Sequence, residues 1–197
     1  MSKLVYGVGF NDKTRPVSVD GKIVKEYKLW HSMIQRCYSE KYQTRFPTYK
    51  GCNVSDNFLH YSFFYDWCQE QIGFGKVDEK GRSWCLDKDL LFVGNKTYSE
   101  TACVFVPNEI NSFFTDRGNA RGEYPLGVSF YKQTGKFQAH CAVNGKLQYL
   151  GRFNTPEEAF AVYKPFKENL CKQLALKWQH EIDPRVFNAM MNWEVKE

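Results

Sequence analysis

Hydrophobic residues near the start of the chain recur at helical spacing. Trp30, Met33, Ile34 and Cys37 stand at positions i, i+3, i+4 and i+7, which places them on one side of an α-helix. The pattern therefore predicts an amphipathic helix over residues 26–38.

A second helix is predicted after a turn and a short strand at residues 51–54. Asn57 belongs to the residue types that cap helix N-termini, so we expect this helix to begin there. Its apolar side is expected to contain Phe58, Tyr61, Tyr65 and Cys68. Such bulky side chains predict that the helix packs into a core.

The middle of the chain predicts a two-stranded ribbon followed by a short helix. Residues 83–91 and 101–106 are rich in strand-forming residues, and a glycine-containing segment lies between them. Residues 107–114 suit a helix, with Pro107 in its first turn. Residues 117–124 are rich in glycine and charge and lack apolar periodicity, so they predict a linker.

Alternation with a period of two predicts three short strands at residues 126–130, 136–140 and 149–153. The apolar face of their sheet is expected to carry Val128, Phe130, Phe137, Ala139 and Cys141. Thr155 and Glu158 form a Thr-x-x-Glu capping box, which predicts a helix directly after the third strand. An apolar stripe on that helix is expected to cover the sheet, with a kink at Pro165: Ala159, Tyr163, Phe166, Leu170 and Leu174.

These elements predict an α+β fold with two domains. The first is expected over residues 1–116 and the second over residues 125–197, on either side of the linker at residues 117–124. The second domain is expected to be a three-stranded antiparallel sheet packed on one helix, with a C-terminal extension.

Composition fits a folded chain, since 43% of its 197 residues are hydrophobic and 17% are aromatic. The sequence has no apolar run of the roughly 20 residues that cross a bilayer, and its first residues lack the apolar core of a signal peptide. We therefore expect a cytoplasmic protein with no membrane partner. The seven cysteines include no Cys-x-x-Cys pair, so we expect free thiols and no structural zinc.

Charge is distributed unevenly along the chain. The net charge is +5, and the first 50 residues hold ten Lys or Arg against four acidic residues. Residues 51–124 are acidic, whereas residues 125–197 are again basic. Basic ends are compatible with phosphate contacts, although a modest positive charge also occurs in proteins that never bind nucleic acid.

The three strands and the capped helix resemble the AP-two/ethylene-response-factor family of DNA-binding domains. The resemblance rests on Leu126-Gly127-Val128-Ser129-Phe130, Tyr149-Leu150-Gly151-Arg152-Phe153 and the Thr155-Pro156-Glu157-Glu158-Ala159 helix start. It implies a sheet that enters the major groove of duplex DNA, with the helix behind it. Plant members carry several strand arginines where this chain has other residues, so the plant target sequence does not transfer.

The resemblance also implies which side chains approach DNA. Lys132, Lys136 and Arg152 would contact phosphates or guanine edges, and Ser129, Gln138 and His140 would supply hydrogen bonds. The full set implied to bind DNA is Ser129, Tyr131, Lys132, Lys136, Gln138, His140, Tyr149 and Arg152.

The middle of the chain resembles the ββα-metal core of phage HNH homing endonucleases. The similarity rests on Leu86-Asp87-Lys88-Asp89, on the later segment Cys103-Val104-Phe105-Val106-Pro107-Asn108-Glu109-Ile110-Asn111, and on a Trp-x-x-Met-x-x-Arg-Cys-Tyr opening at residues 30–38. It implies an HNH-like ββα core with flanking helices. Asp87 and Asn111 match the metal ligands of that core, which would bind Mg²⁺ or another divalent cation.

Lys88 stands where the family has its general-base histidine. A lysine is protonated at neutral pH and is a poor base, although it can hold a phosphate as a point charge. The sequence thus predicts a double-stranded-DNA-binding protein of phage homing-endonuclease type, with metal-dependent cleavage as one outcome. The alternatives are a catalytically inactive DNA-binding regulator or anti-host factor on the HNH scaffold, and a protein-interaction module.

Overall fold

The structure, a computed structural model, describes residues 4–115, 123–143 and 145–196. The described residues form a mixed α+β chain with a three-stranded antiparallel sheet, which confirms the predicted α+β class, whereas the HNH-like core stays a prediction. The chain divides into two compact units, one of residues 1–111 with residues 181–186, the other of residues 112–180 with residues 187–197. The predicted linker at residues 117–124 falls mostly outside the described residues and stays a prediction.

The first unit consists of short elements joined by turns. Its strands pair as β1 with β2 and β4 with β6 in antiparallel fashion, and β3 with β5 in parallel fashion. The elements are β1 Ser18–Val19, β2 Lys22–Ile23, α1 Lys25–Tyr38, α2 Glu40–Arg45, a 3-10 helix Pro47–Tyr49, β3 Asn53–Val54, α3 Asp56–Leu59, α4 Tyr61–Glu70, β4 Cys85–Asp87, β5 Thr97–Tyr98, β6 Val104–Val106 and α5 Asn108–Phe114, whose last residues belong to the second unit.

Aromatic side chains build the core of the first unit. Trp30 of α1 is fully buried, and its indole Nε1 donates to the carbonyl oxygen of Phe58 at 2.8 Å. Tyr61 packs its ring against Trp30 with the centroids 5.3 Å apart. The predicted stripe of α1 is confirmed, because its four apolar residues are all buried.

The second predicted helix is two helices in the structure, and its cap was wrongly assigned. Ser55, not Asn57, caps α3, its side chain accepting from the backbone N–H of Phe58. Asn57 instead donates to the Glu100 carboxylate at 2.6 Å. His60 has an extended backbone, so the helix restarts as α4. The restart leaves Tyr65 only half-buried, while Phe64 and Trp67 take the buried positions.

The ribbon is shorter than predicted, although its pairing and the helix after it are present. Cys85 lies opposite Val106, and Asp87 lies opposite Val104. The first strand ends at Asp87 because the side-chain oxygen Oδ1 of this residue accepts from the backbone N–H groups of Asp89 and Leu90, which closes a turn. Strand β5, which lies between these two strands in the chain, was not predicted.

The second unit contains the predicted three-stranded antiparallel sheet, in the order β7-β8-β9. Its elements are β7 Val128–Tyr131, β8 Lys136–Val143, β9 Lys146–Phe153, α6 Pro156–Trp178 and α7 Pro184–Met191, whose first residues belong to the first unit. One face of the sheet packs against α6 around a buried cluster of Ala139, Cys141, Ala159, Phe160, Tyr163 and Val195. Phe130 is 43% exposed at the edge strand, where its ring lies 5.3 Å from Phe137.

The start of α6 follows the predicted capping box with one difference. Thr155 Oγ1 accepts from the backbone N–H of Glu158 at 3.2 Å, but the Glu158 carboxylate accepts from Asn154 and not from Thr155. The helix is continuous across Pro165. No helix in the described ranges has the length and apolar character needed to cross a membrane.

Candidate nucleic-acid interface and candidate metal site

Strand register brings most of the predicted DNA-binding side chains onto the sheet face opposite α6, which we call the outer face. Ser129 pairs with Gln138, and Gln138 pairs with Arg152 in the next strand. Partners in neighbouring strands share a face, and residues alternate along a strand. Seven of the eight predicted residues therefore lie on the outer face: Ser129, Tyr131, Lys136, Gln138, His140, Tyr149 and Arg152.

A β-bulge makes this grouping possible. Tyr149 and Arg152 are three residues apart, so regular alternation would place them on opposite faces. The register between β8 and β9 shifts at Ala139 and His140, leaving one extra residue in β9. Gly151 has a φ of +143°, and a Cβ there would lie 2.8 Å from the Phe153 ring. Glycine therefore permits the bulge that turns Arg152 outward.

Arg152 is held in place without being neutralised. Its guanidinium carbon lies 4.3 Å from the centroid of the Tyr131 ring. With the Gln138 amide oxygen facing it, that oxygen accepts from Arg152 Nη2 at 2.8 Å and from Nε at 3.3 Å. By contrast, Arg15 forms a 2.7 Å ion pair with Asp66. Within the described residues no carboxylate pairs with Arg152, so its charge remains available to a ligand.

The far end of the outer face is aromatic and apolar. His140 and Tyr149 are opposite each other, with their ring centroids 5.4 Å apart. Leu147 lies opposite Ala142, and Leu147 is 71% exposed. Sequence reasoning missed Leu147, although its alternation with Tyr149 carried the signal. An exposed leucine beside an exposed tyrosine can contact thymine methyl groups.

Lys132 is the predicted DNA-binding residue that does not lie in a strand. It is exposed in the turn between β7 and β8. In the same turn the Tyr131 hydroxyl donates to the Gln133 side chain. Lys136 is exposed at the start of β8. Both lysines lie at one end of the face, where an ammonium can reach a phosphate.

Asp87 ends β4 with its carboxylate partly committed to the backbone. Oδ1 accepts from the N–H of Asp89 at 3.0 Å and from that of Leu90 at 2.8 Å. Burial, reinforced by the charge of Asp89, raises the pKa of Asp87 to about 6. A carboxylate with a raised pKa beside a second carboxylate is an environment that a cation would stabilise.

Lys88 is buried and bonded, which does not suit a base. The side chain is 8% exposed, and Nζ donates to Asp89 Oδ2 at 2.9 Å and to the carbonyl oxygen of Asn95 at 3.0 Å. Nζ also lies 5.7 Å from the centroid of the Tyr98 ring. The hydrogen bonds of this ammonium are thus directed to groups inside the protein, which leaves fewer donors for a phosphate or a water.

The upstream histidines pack on aromatic rings. His31 lies 5.3 Å from the Tyr6 ring centroid, and His60 lies 5.6 Å from that of Phe10. In the described part of the chain no histidine hydrogen-bonds to Asp87 or Lys88. Neither histidine therefore substitutes geometrically for the base.

The asparagines near the ribbon have structural contacts. Asn111 lies one turn into α5, where its backbone N–H donates to the Pro107 carbonyl oxygen at 3.0 Å. Asn108 ties α5 to the ribbon, donating to the Ser83 carbonyl oxygen and accepting from Cys85 Sγ. Asn95 closes the loop after Lys88 by donating to the carbonyl oxygen of that residue at 2.6 Å.

The donor set supports a divalent cation at Asp87 and Asn111 only in part. One Asp87 oxygen accepts two backbone hydrogen bonds, which leaves Oδ2 as its better ligand atom. Across the ranges that the structure describes, no group of three or more His, Cys, Asp or Glu side chains could hold a metal ion. The Mg²⁺ site stays a prediction.

Arg36 is a residue near this region that the sequence did not single out as a site residue. Nη1 reaches the Tyr98 hydroxyl at 3.5 Å, and Nε is buried with no partner among the described residues. Its guanidinium carbon also lies 5.5 Å from the centroid of the Tyr49 ring. Arg36 and Tyr98 are 62 positions apart, so only the fold brings them together.

Comparisons of the chain with protein-family models, with curated proteins and with solved structures found no match.

Proposed function

We propose that this chain is a duplex-DNA-binding protein whose outer face, on the C-terminal sheet, enters the major groove. In this proposal Arg152 contacts a guanine edge or a phosphate, and Gln138, Ser129 and His140 supply further hydrogen bonds. Lys132 and Lys136 contact the phosphate backbone at one end of the sheet.

One observation carries the proposal: the predicted polar side chains share one exposed face, and its arginine has no carboxylate partner among the described residues. The major groove is about 12 Å wide and admits a β-sheet of a few strands. Arg152 is pre-oriented by Tyr131, so less side-chain entropy is lost on binding.

We propose further that the first unit derives from an HNH-like scaffold and acts without hydrolysis. Lys88 supports this choice, because its ammonium donates to Asp89 and to the Asn95 carbonyl oxygen. The protein would then be a DNA-binding regulator or anti-host factor, consistent with an origin in a phage or mobile element.

An endonuclease remains the second candidate, because one observation favours it. Asp87 ends β4 close to a second carboxylate, with only its Oδ1 accepting the two backbone hydrogen bonds, and burial together with Asp89 raises its pKa to about 6, so a cation would stabilise the ionised group. A bound divalent ion would supply charge neutralisation at a scissile phosphate. The role of this chain's residues would be limited to holding that ion through Asp87 and Asn111.

The test measures binding and cleavage on the same DNA. The purified chain is incubated with supercoiled plasmid and with labelled duplex fragments in Mg²⁺, in Mn²⁺ and in EDTA. Arg152→Ala is expected to weaken duplex binding by about 5- to 150-fold, since a bidentate arginine contact contributes about 1–3 kcal/mol. Lys172→Ala is the matched control, because it removes one exposed charge from α6, behind the sheet.

The outcomes separate the candidates. A mobility shift in all three conditions without nicking supports the non-hydrolytic protein. Nicking that requires metal and disappears in Asp87→Ala supports the endonuclease. No duplex binding by the unmodified chain, or equal losses in Arg152→Ala and Lys172→Ala, would overturn the proposed interface.

A further inference from the structure

A second basic surface lies in the first unit, on elements that the proposed interface does not use. We call it the α2 patch. Its cations are Lys41, Arg45, Lys50 and Lys96, all exposed. Its rings are Tyr42 of α2, Tyr49 of the following 3-10 helix, and Phe46, which lies between the two helices.

Contacts join these residues into one surface. The ring centroid of Tyr42 lies 4.7 Å from that of Phe46 and 5.8 Å from that of Tyr49. Lys96, far along the chain, joins the patch because its Nζ donates to the Thr48 carbonyl oxygen at 3.1 Å. Lys41 and Arg45 are four residues apart on α2 and therefore share a helix face.

The arginines of the first unit differ in whether they contact a carboxylate, although Arg15 also lies 6.0 Å from the centroid of the Tyr65 ring. Arg15, Arg82 and Arg185 each contact a carboxylate oxygen at 2.7 Å. Arg36 and Arg45 instead lie against aromatic rings, with guanidinium carbons 5.5 Å from the Tyr49 centroid and 5.4 Å from the Phe46 centroid. A ring orients a guanidinium without cancelling its charge, whereas a carboxylate cancels it.

Few acidic groups oppose the patch. Glu40 stands in the first turn of α2, where it complements the positive end of the helix. Asp89, near Lys96 in sequence, is paired with Lys88. Within the described residues none of Lys41, Arg45, Lys50 and Lys96 pairs with a carboxylate. Arg36 and Arg45 also stabilise the C-terminal ends of their helices, but that role does not require Lys50 or Lys96.

We infer that the α2 patch is a second DNA-contacting surface, which binds the phosphate backbone of the duplex without reading its sequence. Unpaired Lys and Arg side chains on one surface are the groups that displace condensed counterions from DNA. This inference rests on the proposed function, which supplies duplex DNA as the ligand. It adds a separate contact region that increases affinity and its salt dependence but not base specificity.

The experiment compares two triple variants with the same net charge. The patch variant carries Arg45→Gln, Lys50→Gln and Lys96→Gln. The control carries Arg15→Gln, Arg82→Gln and Arg185→Gln, which removes three arginines that already have carboxylate partners. Duplex affinity is measured by fluorescence anisotropy from about 50 to about 300 mM KCl, and thermal unfolding verifies that both variants are folded.

Log affinity falls as log salt rises, and the patch variant should make this fall less steep. The magnitude of the slope should decrease by about 0.9 for each lost phosphate contact, hence by about two to three. Its preference between duplex sequences is expected to stay unchanged. The control is expected to keep the slope of the unmodified chain. If the control does not fold, the double variant Lys50→Gln with Lys96→Gln is compared with the double variant Lys172→Gln with Lys177→Gln, which removes the same number of exposed charges from α6, by the same salt dependence.

Failure of this inference is distinguishable from failure of the proposed function. If Arg152→Ala weakens binding while the patch and control variants have equal slopes, the α2 patch does not contact DNA. If the patch variant loses affinity while Arg152→Ala does not, the outer face is not the interface and the patch remains. A change of sequence preference in the patch variant would also overturn the inference, because phosphate contacts carry no base information.

Discussion

The outer face and the Asp87–Lys88 region both contain a cation that sequence reasoning assigned to DNA chemistry, yet the two cations have opposite surroundings. Arg152 is exposed, stacked on Tyr131 and unpaired with any described carboxylate. Lys88 is buried, with its donors directed to Asp89 and to the Asn95 carbonyl oxygen. The first arrangement leaves hydrogen-bonding capacity for a ligand, and the second uses it inside the protein.

The difference shows that residue type at a motif position does not determine a role. The role depends on whether the charge is already balanced. Substitutions in the two regions should therefore have different effects. Those on the outer face should reduce DNA affinity, and those around Lys88 should reduce stability.

The largest expected effect is at the β-bulge, where one substitution should reduce both stability and DNA affinity. Gly151→Ala should lower the free energy of unfolding by about 2–5 kcal/mol, because a φ of +143° is strained for alanine and the new Cβ would lie 2.8 Å from the Phe153 ring. Duplex affinity should fall at least tenfold at a temperature where the variant is folded, since Arg152 is turned from the outer face. Urea unfolding and anisotropy measure the two effects.

Gly135→Ala is the control for this change. Gly135 also has a positive φ, of +65°, but a Cβ there has no heavy atom within 4 Å. Gly135→Ala should lower the free energy of unfolding by about 1 kcal/mol and leave DNA affinity unchanged. If Gly151→Ala behaves like Gly135→Ala, the bulge is not what orients Arg152.

The sequence predicted the sheet well because the alternation of apolar and polar residues is local. The bulge was not predicted, although Gly151 lies at it and a glycine inside a strand often marks one, because the register shift is defined only by the pairing of β9 with β8. The outer-face group was obtained instead from the family resemblance. The ion pair of Lys88 with Asp89 is local as well, but burial of Lys88 depends on Asn95 and Tyr98, which reach it only through the fold.

The next largest effect is expected at Lys88, where a substitution should reduce stability and hardly change DNA affinity. Lys88→Met should destabilise the protein by about 1–3 kcal/mol, because it removes two charge-assisted hydrogen bonds and leaves the Asn95 carbonyl oxygen without that donor. Duplex affinity should change less than twofold. Urea unfolding with a binding titration tests both statements.

Arg82→Met provides a matched comparison, since its ion pair with Asp78 involves an arginine side chain that is 56% exposed. Arg82→Met should lower the free energy of unfolding by less than about 1 kcal/mol. A large loss of DNA affinity in Lys88→Met, with stability intact, would assign Lys88 to the ligand and remove the contrast with Arg152.

A smaller effect concerns pH. The pKa of Asp87 in the folded protein is raised to about 6, above its unfolded value of about 3.9. Between about pH 4 and pH 7 the folded state therefore binds more protons than the unfolded state, so this group lowers stability as pH rises. Asp87→Asn should remove that decline. The free energy of unfolding of the variant, minus that of the unmodified chain, should therefore be larger at pH 7 than at pH 4.

The measurement is urea unfolding at several pH values in EDTA. In it, Asp12 should contribute a pH dependence of stability opposite in sign to that of Asp87. The Ser62 hydroxyl and then the Thr14 backbone N–H lower the pKa of Asp12 by hydrogen bonding. Asp12→Asn should therefore remove stability that is present at neutral pH and lost as pH falls. Parallel pH profiles for Asp87→Asn and the unmodified chain would show that Asp87 is not buried as described.

The smallest effect tests whether Arg152 is oriented by its aromatic neighbour. Tyr131→Leu removes the ring that lies 4.3 Å from the guanidinium carbon, and an exposed contact of this kind contributes about 0.5–1 kcal/mol. Duplex affinity should fall about two- to fivefold, whereas Tyr131→Phe keeps the ring and should change it less. Both variants should unfold at nearly the same urea concentration. Equal losses in the two variants would attribute the effect to the Tyr131 hydroxyl, and no loss in either would mean that Arg152 reaches DNA without being pre-oriented.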